Sequence, residues 1–354
     1  MLETAKIFRE KREIFDVRRG ISLNGRERCI AALNLEEPDI LPVAELNPGS
    51  YSPEKLDLDA INVSPEVPKS WGYQRKIDNN TYIDPWGVAT RRIPETGAIS
   101  YVDYPIRTFE DLENYVPPDV NALSMKKIES VSKRIGGKKM IISGIGMEGT
   151  FSYQLMGFKG FLKALYMNSE VAERVNDMIL SFTIELGKRM IEAGVEAIWL
   201  GDDYGYGKST FVAPEIIRKF AIPRLRLIVK VFHKAGAYVI KHSDGNINLV
   251  MKDIVETGVD AIHPIEPDVM DIGGIKDLYG DKVCLWGNID CSKVLQDGTT
   301  DQVANEVREC IKRASYGGGH ILGSSHSLHQ KVKIRNILIM IKAARKYGKY
   351  PTRF

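Results

Sequence analysis

The chain has 354 residues, 44% of them hydrophobic and 27% charged, and 49 Lys and Arg against 46 Asp and Glu give a formal net charge of +3. Such a balance excludes a disordered chain and leaves neither nucleic acid nor a membrane surface an electrostatic footprint. No apolar run approaches the roughly 20 residues of a membrane span, and residues 1–20 carry charges at short intervals without an apolar centre. The expected location is therefore the cytoplasm.

Cys29, Cys284, Cys291 and Cys310 form no Cys-x-x-Cys pair and read as reduced thiols.

Residues 1–20 predict a charged helix. Asn24 is placed to cap a second helix over residues 25–35, whose Cys29, Ile30, Ala32 and Leu33 fall at helical spacing. Together residues 1–38 form an N-terminal helical arm. A strand follows over residues 40–46. Residues 47–125 are rich in Pro, Asp, Tyr and Asn, and predict an insertion of loops and a small β-hairpin, a length that in a compact domain is more often functional than idle.

From residue 126 the pattern is regular. Strands are expected over 139–143, 195–200, 237–241, 259–263, 283–287 and 320–323, alternating with helices that include one opened by Pro214 and stopped by Gly236. That alternation implies parallel βαβ units. Seven strands are visible, with an eighth hidden in the irregular region. The preferred fold is a distorted (β/α)8 barrel spanning 1–354 as one domain, with an open doubly wound sheet as second choice. Glu45, Glu148, Asp202, Asp203, His242, Asp244, Glu266, Asn288, Asp290 and His326 all follow predicted strands, and a barrel gathers strand ends on one face.

His242 and Asp244 are two apart at the end of the strand over 237–241, so in extended backbone their side chains point the same way. With His326 they offer two nitrogens and a carboxylate oxygen, a donor set for an open zinc site. The plainer alternative makes both histidines hydrogen-bonded barrel-end residues and Asp244 a helix cap. His329 is a rival third ligand, His320 a weaker one, and His263 reads as a structural residue. Asp202 and Asp203 are adjacent, so one can face the site while the other holds structure. Gly144-Ile145-Gly146-Met147-Glu148-Gly149 matches a dinucleotide-binding pattern, but no compact helix follows, so it reads as a barrel loop offering Glu148.

Arg26-Glu27-Arg28-Cys29-Ile30-Ala31-Ala32-Leu33-Asn34 with Glu37-Pro38-Asp39, and Gly323-Ser324-Ser325-His326 with Asn336 and Tyr347-Gly348-Lys349-Tyr350-Pro351, resemble the uroporphyrinogen decarboxylase superfamily. The resemblance implies a distorted (β/α)8 barrel. Its porphyrinogen decarboxylases carry Arg-Gln-Ala-Gly-Arg after the first strand, where this chain reads Glu45-Leu46-Asn47-Pro48-Gly49. Its other branch comprises zinc-dependent methyltransferases that work with a corrinoid protein. Coenzyme M methylating members hold zinc with His-x-Cys and a distant Cys. Here the pair aligns with His242-Ser243-Asp244 and the distant Cys with His326, so the frame is kept and both sulfurs are replaced.

The resemblance thus implies zinc on His242, Asp244 and His326, a corrinoid carried by a separate protein, and a small-molecule methyl donor. Harder ligands suit an oxygen atom, hence the expectation of O-demethylation of an aromatic methyl ether. Asp202, Asp203, Glu148 and Glu266 are the expected catalytic carboxylates. Glu45, Asn47, Asn288 and Trp86, with Trp71, Tyr73 and Tyr82, would face the substrate. Methyl transfer to an acceptor such as tetrahydrofolate or a thiol, a decarboxylase-like lyase and a non-catalytic barrel are the alternatives. The oligomeric state is left open, a homodimer included.

Overall fold

The computed structural model describes residues 22–49, 51, 55–71, 75–93, 99–145, 153–167 and 169–352. The helix predicted over 1–20, Tyr73 and Glu148 lie outside them.

Strand β1 (Ala60–Asn62) comes first. Next are β2 (Arg75–Lys76), β3 (Thr81–Ile83), β4 (Ala89–Arg92) and β5 (Ile99–Asp103), an antiparallel sheet in chain order. Then come β6 (Met140–Ile145), β7 (Ala197–Leu200), β8 (Tyr238–His242), β9 (Ala261–His263), β10 (Cys284–Trp286) and β11 (His320–Ile321). These six continue from β1 as one parallel sheet in the order β1-β6-β7-β8-β9-β10-β11.

The predicted strand over 40–46 is reduced to bridges, yet it closes the sheet. Ala44 N donates to Leu322 O at 3.0 Å, Leu322 N to Pro42 O at 2.9 Å, and Asp59 N to Val43 O at 2.8 Å. Residues 42–44 thereby join the last strand to the first and make a distorted (β/α)8 barrel.

The range 47–125 divides accordingly. Ala60–Asn62 is a barrel strand inside it, and the hairpin expected there is the four-stranded sheet β2–β5. The hidden strand escapes pattern reading because three residues are too few to set a period.

Alternation separates two apolar layers. Ala60, Met140, Ile142, Ala197, Tyr238, Ile240, Ala261 and Trp286 fill the lumen, while Ile61, Ile141, Ile198, Val239, Ile262 and Leu285 pack outward with the helices. The helix Gly25–Leu33 plugs the end where strands begin, with Cys29, Ile30, Ala32 and Leu33 in the lumen cluster. Its start is fixed as expected: Asn24 Oδ1 accepts from Glu27 N at 3.1 Å and Glu27 Oε2 from Asn24 N at 2.7 Å.

Buried Asp59 ties this end together. It takes Arg345 Nη1 at 2.7 Å and Val43 N at 2.7 Å. Arg28 pairs with Asp39 at 2.8 Å, so that part of the sequence motif is structural.

The helix opened by Pro214 is two, Pro214–Phe220 and Ile222–Ala235, because Pro223 starts a new first turn. Gly236 ends it at φ 95°, a left-handed position that glycine tolerates. Among the described residues no helix is long and apolar enough to cross a membrane.

Candidate metal centre

Tyr238 and Ile240 point into the lumen, so His242 at the end of β8 does too. The chain then turns at Gly245, whose φ is 74° and whose place leaves no room for a Cβ, which would lie 2.4 Å from Tyr206 N. Asp244, just before that turn and two residues past His242, has its carboxylate beside the His242 ring. Asp203 arrives from the end of β7, and its Oδ1 accepts from Asp244 N at 2.9 Å.

His242 Nε2 then stands 3.7 Å from Asp203 Oδ1 and 3.7 Å from Asp244 Oδ1. Ligand atoms of these three residues all lie within 4.8 Å of one another. His326, from the loop after β11, reaches Asp244 Oδ2 with Nε2 at 3.2 Å.

The charge states follow from surroundings. Burial lowers the His242 pKa against the pull of Asp244 and Asp203. Burial raises that of Asp203, only partly offset by His242. For Asp244 burial acts upward, but the His326 hydrogen bond and both imidazoles outweigh it and hold the carboxyl below its ordinary value. His326 is raised in turn by its hydrogen bond to Asp244.

Does the cluster suit zinc? Bonds of about 2.0–2.1 Å in a tetrahedron space the donors about 3.3 Å apart, close to the separations here. Asp244 Oδ1 is buried and accepts no hydrogen bond, a costly condition that a cation would relieve. The donors are imidazole nitrogen and carboxylate oxygen only, with no thiolate. All four cysteines are buried elsewhere. The residues fit a hard divalent cation.

The other expected residues are placed as follows. Asp202 is buried, and its carbonyl accepts from Lys241 Nζ, so of the adjacent pair Asp203 is the one in the cluster. Glu266 Oε2 accepts from Gly245 N at 2.8 Å and bears on His326 electrostatically.

Glu45 is wholly buried. It accepts from Ser324 N at 3.0 Å and from Ser324 Oγ, and burial raises its pKa to about 7. It holds the turn that carries His326. Asn47 is exposed and its Oδ1 caps Gly49 N at 3.1 Å. Asn288 is buried, donating to Ile265 O at 2.7 Å. Trp86 packs edge-on against Phe182, centroids 4.7 Å apart, beside the cluster formed by Val88, Ile106 and Val175. None of these four is among the residues whose ligand atoms cluster with His242.

His320 is buried between Ser315 Oγ at 2.7 Å and Gly287 O at 2.8 Å, and His329 sits in an exposed turn. Gly144, the first glycine of the dinucleotide-like pattern, leaves room for the Trp199 indole, whose atoms a Cβ would meet at 2.2 Å.

Two neighbours of the cluster lie within strands, His263 as the last residue of β9 and Trp199 inside β7. Trp199 lies edge-on to His242 at 6.0 Å between centroids, and His263 Nδ1 lies 2.8 Å from His242 Nδ1. Their common signal is lumen-facing register, visible only once the strands are paired.

The model of the uroporphyrinogen decarboxylase (URO-D) family matches residues 85–347. The chain belongs to that family. Among relatives of this URO-D chain is the methylcobamide:CoM methyltransferase MtaA of Methanosarcina barkeri, 23% identical over 223 residues, covering 63% of each chain. The uroporphyrinogen decarboxylase of Vibrio vulnificus is 24% identical over 274 residues, 72% of this chain and 73% of that one. This chain thus spans 63% of the length of the first of these relatives. A solved structure, a methyltransferase from Methanosarcina mazei, superposes with a TM-score of 0.73 at 17% identity, covering 92% of this chain and 99% of that one. The likeness shows the fold, a (β/α)8 barrel.

Proposed function

We propose that this URO-D chain is a corrinoid-dependent methyltransferase that takes a methyl group from the oxygen of a methoxylated compound, an aromatic methyl ether, for the cobalt of a separate corrinoid protein. The observation that carries it is the cluster of His242, Asp244 and Asp203 with His326 joined to it, an all nitrogen and oxygen donor set at the barrel mouth. Relatives named as methylcobamide:CoM and methylated-thiol–coenzyme M methyltransferases support the reaction class. The donor chemistry supports oxygen as the atom relieved of its methyl group.

Zinc bound by His242, Asp244 and His326 would supply Lewis acidity. The chain's own residues do the rest. Asp203 presents a carboxylate beside His242, 3.7 Å from its Nε2, where it can relay a proton to the departing oxygen. Glu266 anchors Gly245 N and so keeps the Asp244 turn in place. The Trp199 edge packs against the His242 ring on the lumen side. A polycarboxylated tetrapyrrole, by contrast, would meet Asp203, Asp244 and Glu266, none of which attracts an anion.

The test is spectroscopic. Purified protein loaded with zinc is mixed with cob(I)alamin and a panel of methoxybenzenes, and methylcobalamin is followed by its absorption. Appearance of methylcobalamin with one or more ethers, lost in Asp244→Ala, is the expected result. Methylcobalamin formed only from methyl thiols or methylamines, or from no donor, would sink the ether assignment.

A further inference from the structure

The histidine that packs behind His242 has no role in the reading above, and its geometry is restrictive. The register of β8 and β9 sets His242 beside His263, with both rings on the lumen side. Their centroids are 5.0 Å apart and their planes inclined by 37°. The two Nδ1 atoms approach to 2.8 Å, a hydrogen-bond distance. One Nδ1 must therefore carry the proton while the other offers its lone pair.

The two assignments differ at the far side of His242. If His263 donates, the His242 proton sits on Nε2, aimed at Asp203 Oδ1 and Asp244 Oδ1. Those oxygens are each 3.7 Å away, beyond hydrogen-bond reach. If His242 donates, its Nε2 lone pair faces the two carboxylates, and the buried Asp244 Oδ1, which accepts no hydrogen bond, has a cation to share with it.

We infer that His263 is a positioning residue: it accepts the Nδ1–H of His242 and so locks His242 in the tautomer whose Nε2 can bind a cation. The inference rests on the metal reading proposed above. His263 suits this task because it is buried, and an imidazole that offers its Nδ1 lone pair is necessarily neutral.

A neutral acceptor also differs in kind from the carboxylate that often takes this proton from a ligating histidine. Asp203 and Asp244 already bring two negative charges to the site. A third behind His242 would quench the electrophilicity of a cation held there, whereas an imidazole orients the ring without adding charge.

The experiment uses the full chain with 15N-labelled histidine. Zinc and cobalt(II) affinities are measured by competition with a chromophoric chelator for wild type, His263→Asn and His263→Leu. Asparagine puts its amide oxygen near the place of Nδ1 and keeps the acceptor; leucine removes it. The expected outcome is a His242 Nδ1 that is protonated in the zinc-loaded spectrum. Affinity should fall about 10–100-fold in His263→Leu and stay within about threefold in His263→Asn.

Protonation at His242 Nε2, or equal affinities in the two variants, would overturn the inference. Should the leucine variant fail to fold, the wild-type 15N spectrum decides by itself. Wild type that takes up neither metal would overturn the metal reading, while its His242 15N signals would still report the direction of the hydrogen bond.

Discussion

Asp244 Oδ2 lies 3.2 Å from His326 Nε2, tying the turn after β8 to the loop after β11. Its other oxygen faces His242, so one carboxylate links both imidazoles. Asp244→Ala should remove a ligand and this link together, and lose stoichiometric zinc. His326→Ala should retain the inner group and weaken zinc at least about tenfold. Metal content after gel filtration, with cobalt(II) absorption as a second readout, compares the two. Equal metal content in both variants and wild type would discard these ligands.

The His326 loop has its own support. Ser324 N and Oγ both donate to buried Glu45, and Ser324 Oγ also lies within hydrogen-bonding range of His326 O. Glu45→Ala leaves buried Ser324 groups without their acceptor, at about 1–3 kcal/mol each. A lowered urea midpoint should accompany weakened zinc binding. Glu45→Gln, which keeps an oxygen acceptor, should recover most of both. An unchanged midpoint in the alanine variant would show that the carboxylate holds nothing.

His320 supplies a pH dependence. Burial depresses its pKa to about 4, against an ordinary value of 6.5. The unfolded chain therefore binds the extra proton first as pH falls, and stability is lost between pH 6.5 and 4. The loss from this group approaches about 3 kcal/mol at the acid end. In His320→Gln the slope of unfolding free energy against pH should flatten over that window. A slope as steep as wild type would assign the acid lability elsewhere.

Gly144 and Trp199 are paired across β6 and β7. An alanine at 144 would put its Cβ 2.2 Å from the indole ring, and overpacking of this kind costs about 1–3 kcal/mol or more. Because Trp199 lies against His242, Gly144→Ala should shift tryptophan emission and reduce zinc affinity as well as stability. Loss of stability with unchanged zinc affinity would show that the indole does not bear on His242.

The barrel was legible in the sequence because its strands from 139 onward are apolar runs between well-formed helices. Its seam was not. Residues 42–44 make single bridges instead of a ladder, and Ala60–Asn62 is too short to announce a period. At the site, two-residue spacing was enough to set His242 and Asp244 side by side. Choosing Asp203 over Asp202 required the direction in which the chain leaves β7. Glu45 illustrates the limit most clearly: its partner Ser324 is 279 residues away, so nothing local distinguishes a buried strut from a ligand-facing acid. His263 is similar, since only strand register puts it behind His242.

The seam between Val43 and Leu322 has a consequence for biosynthesis. During translation, Asp203, His242 and Asp244 emerge well before the residues near 322 that the seam requires. The stave supplied by residues 42–44 must wait for its late neighbour, and such distant pairing slows folding. His326 follows that neighbour by four positions. Closure of the cylinder and the placing of His326 beside Asp244 thus depend on the same late stretch of chain.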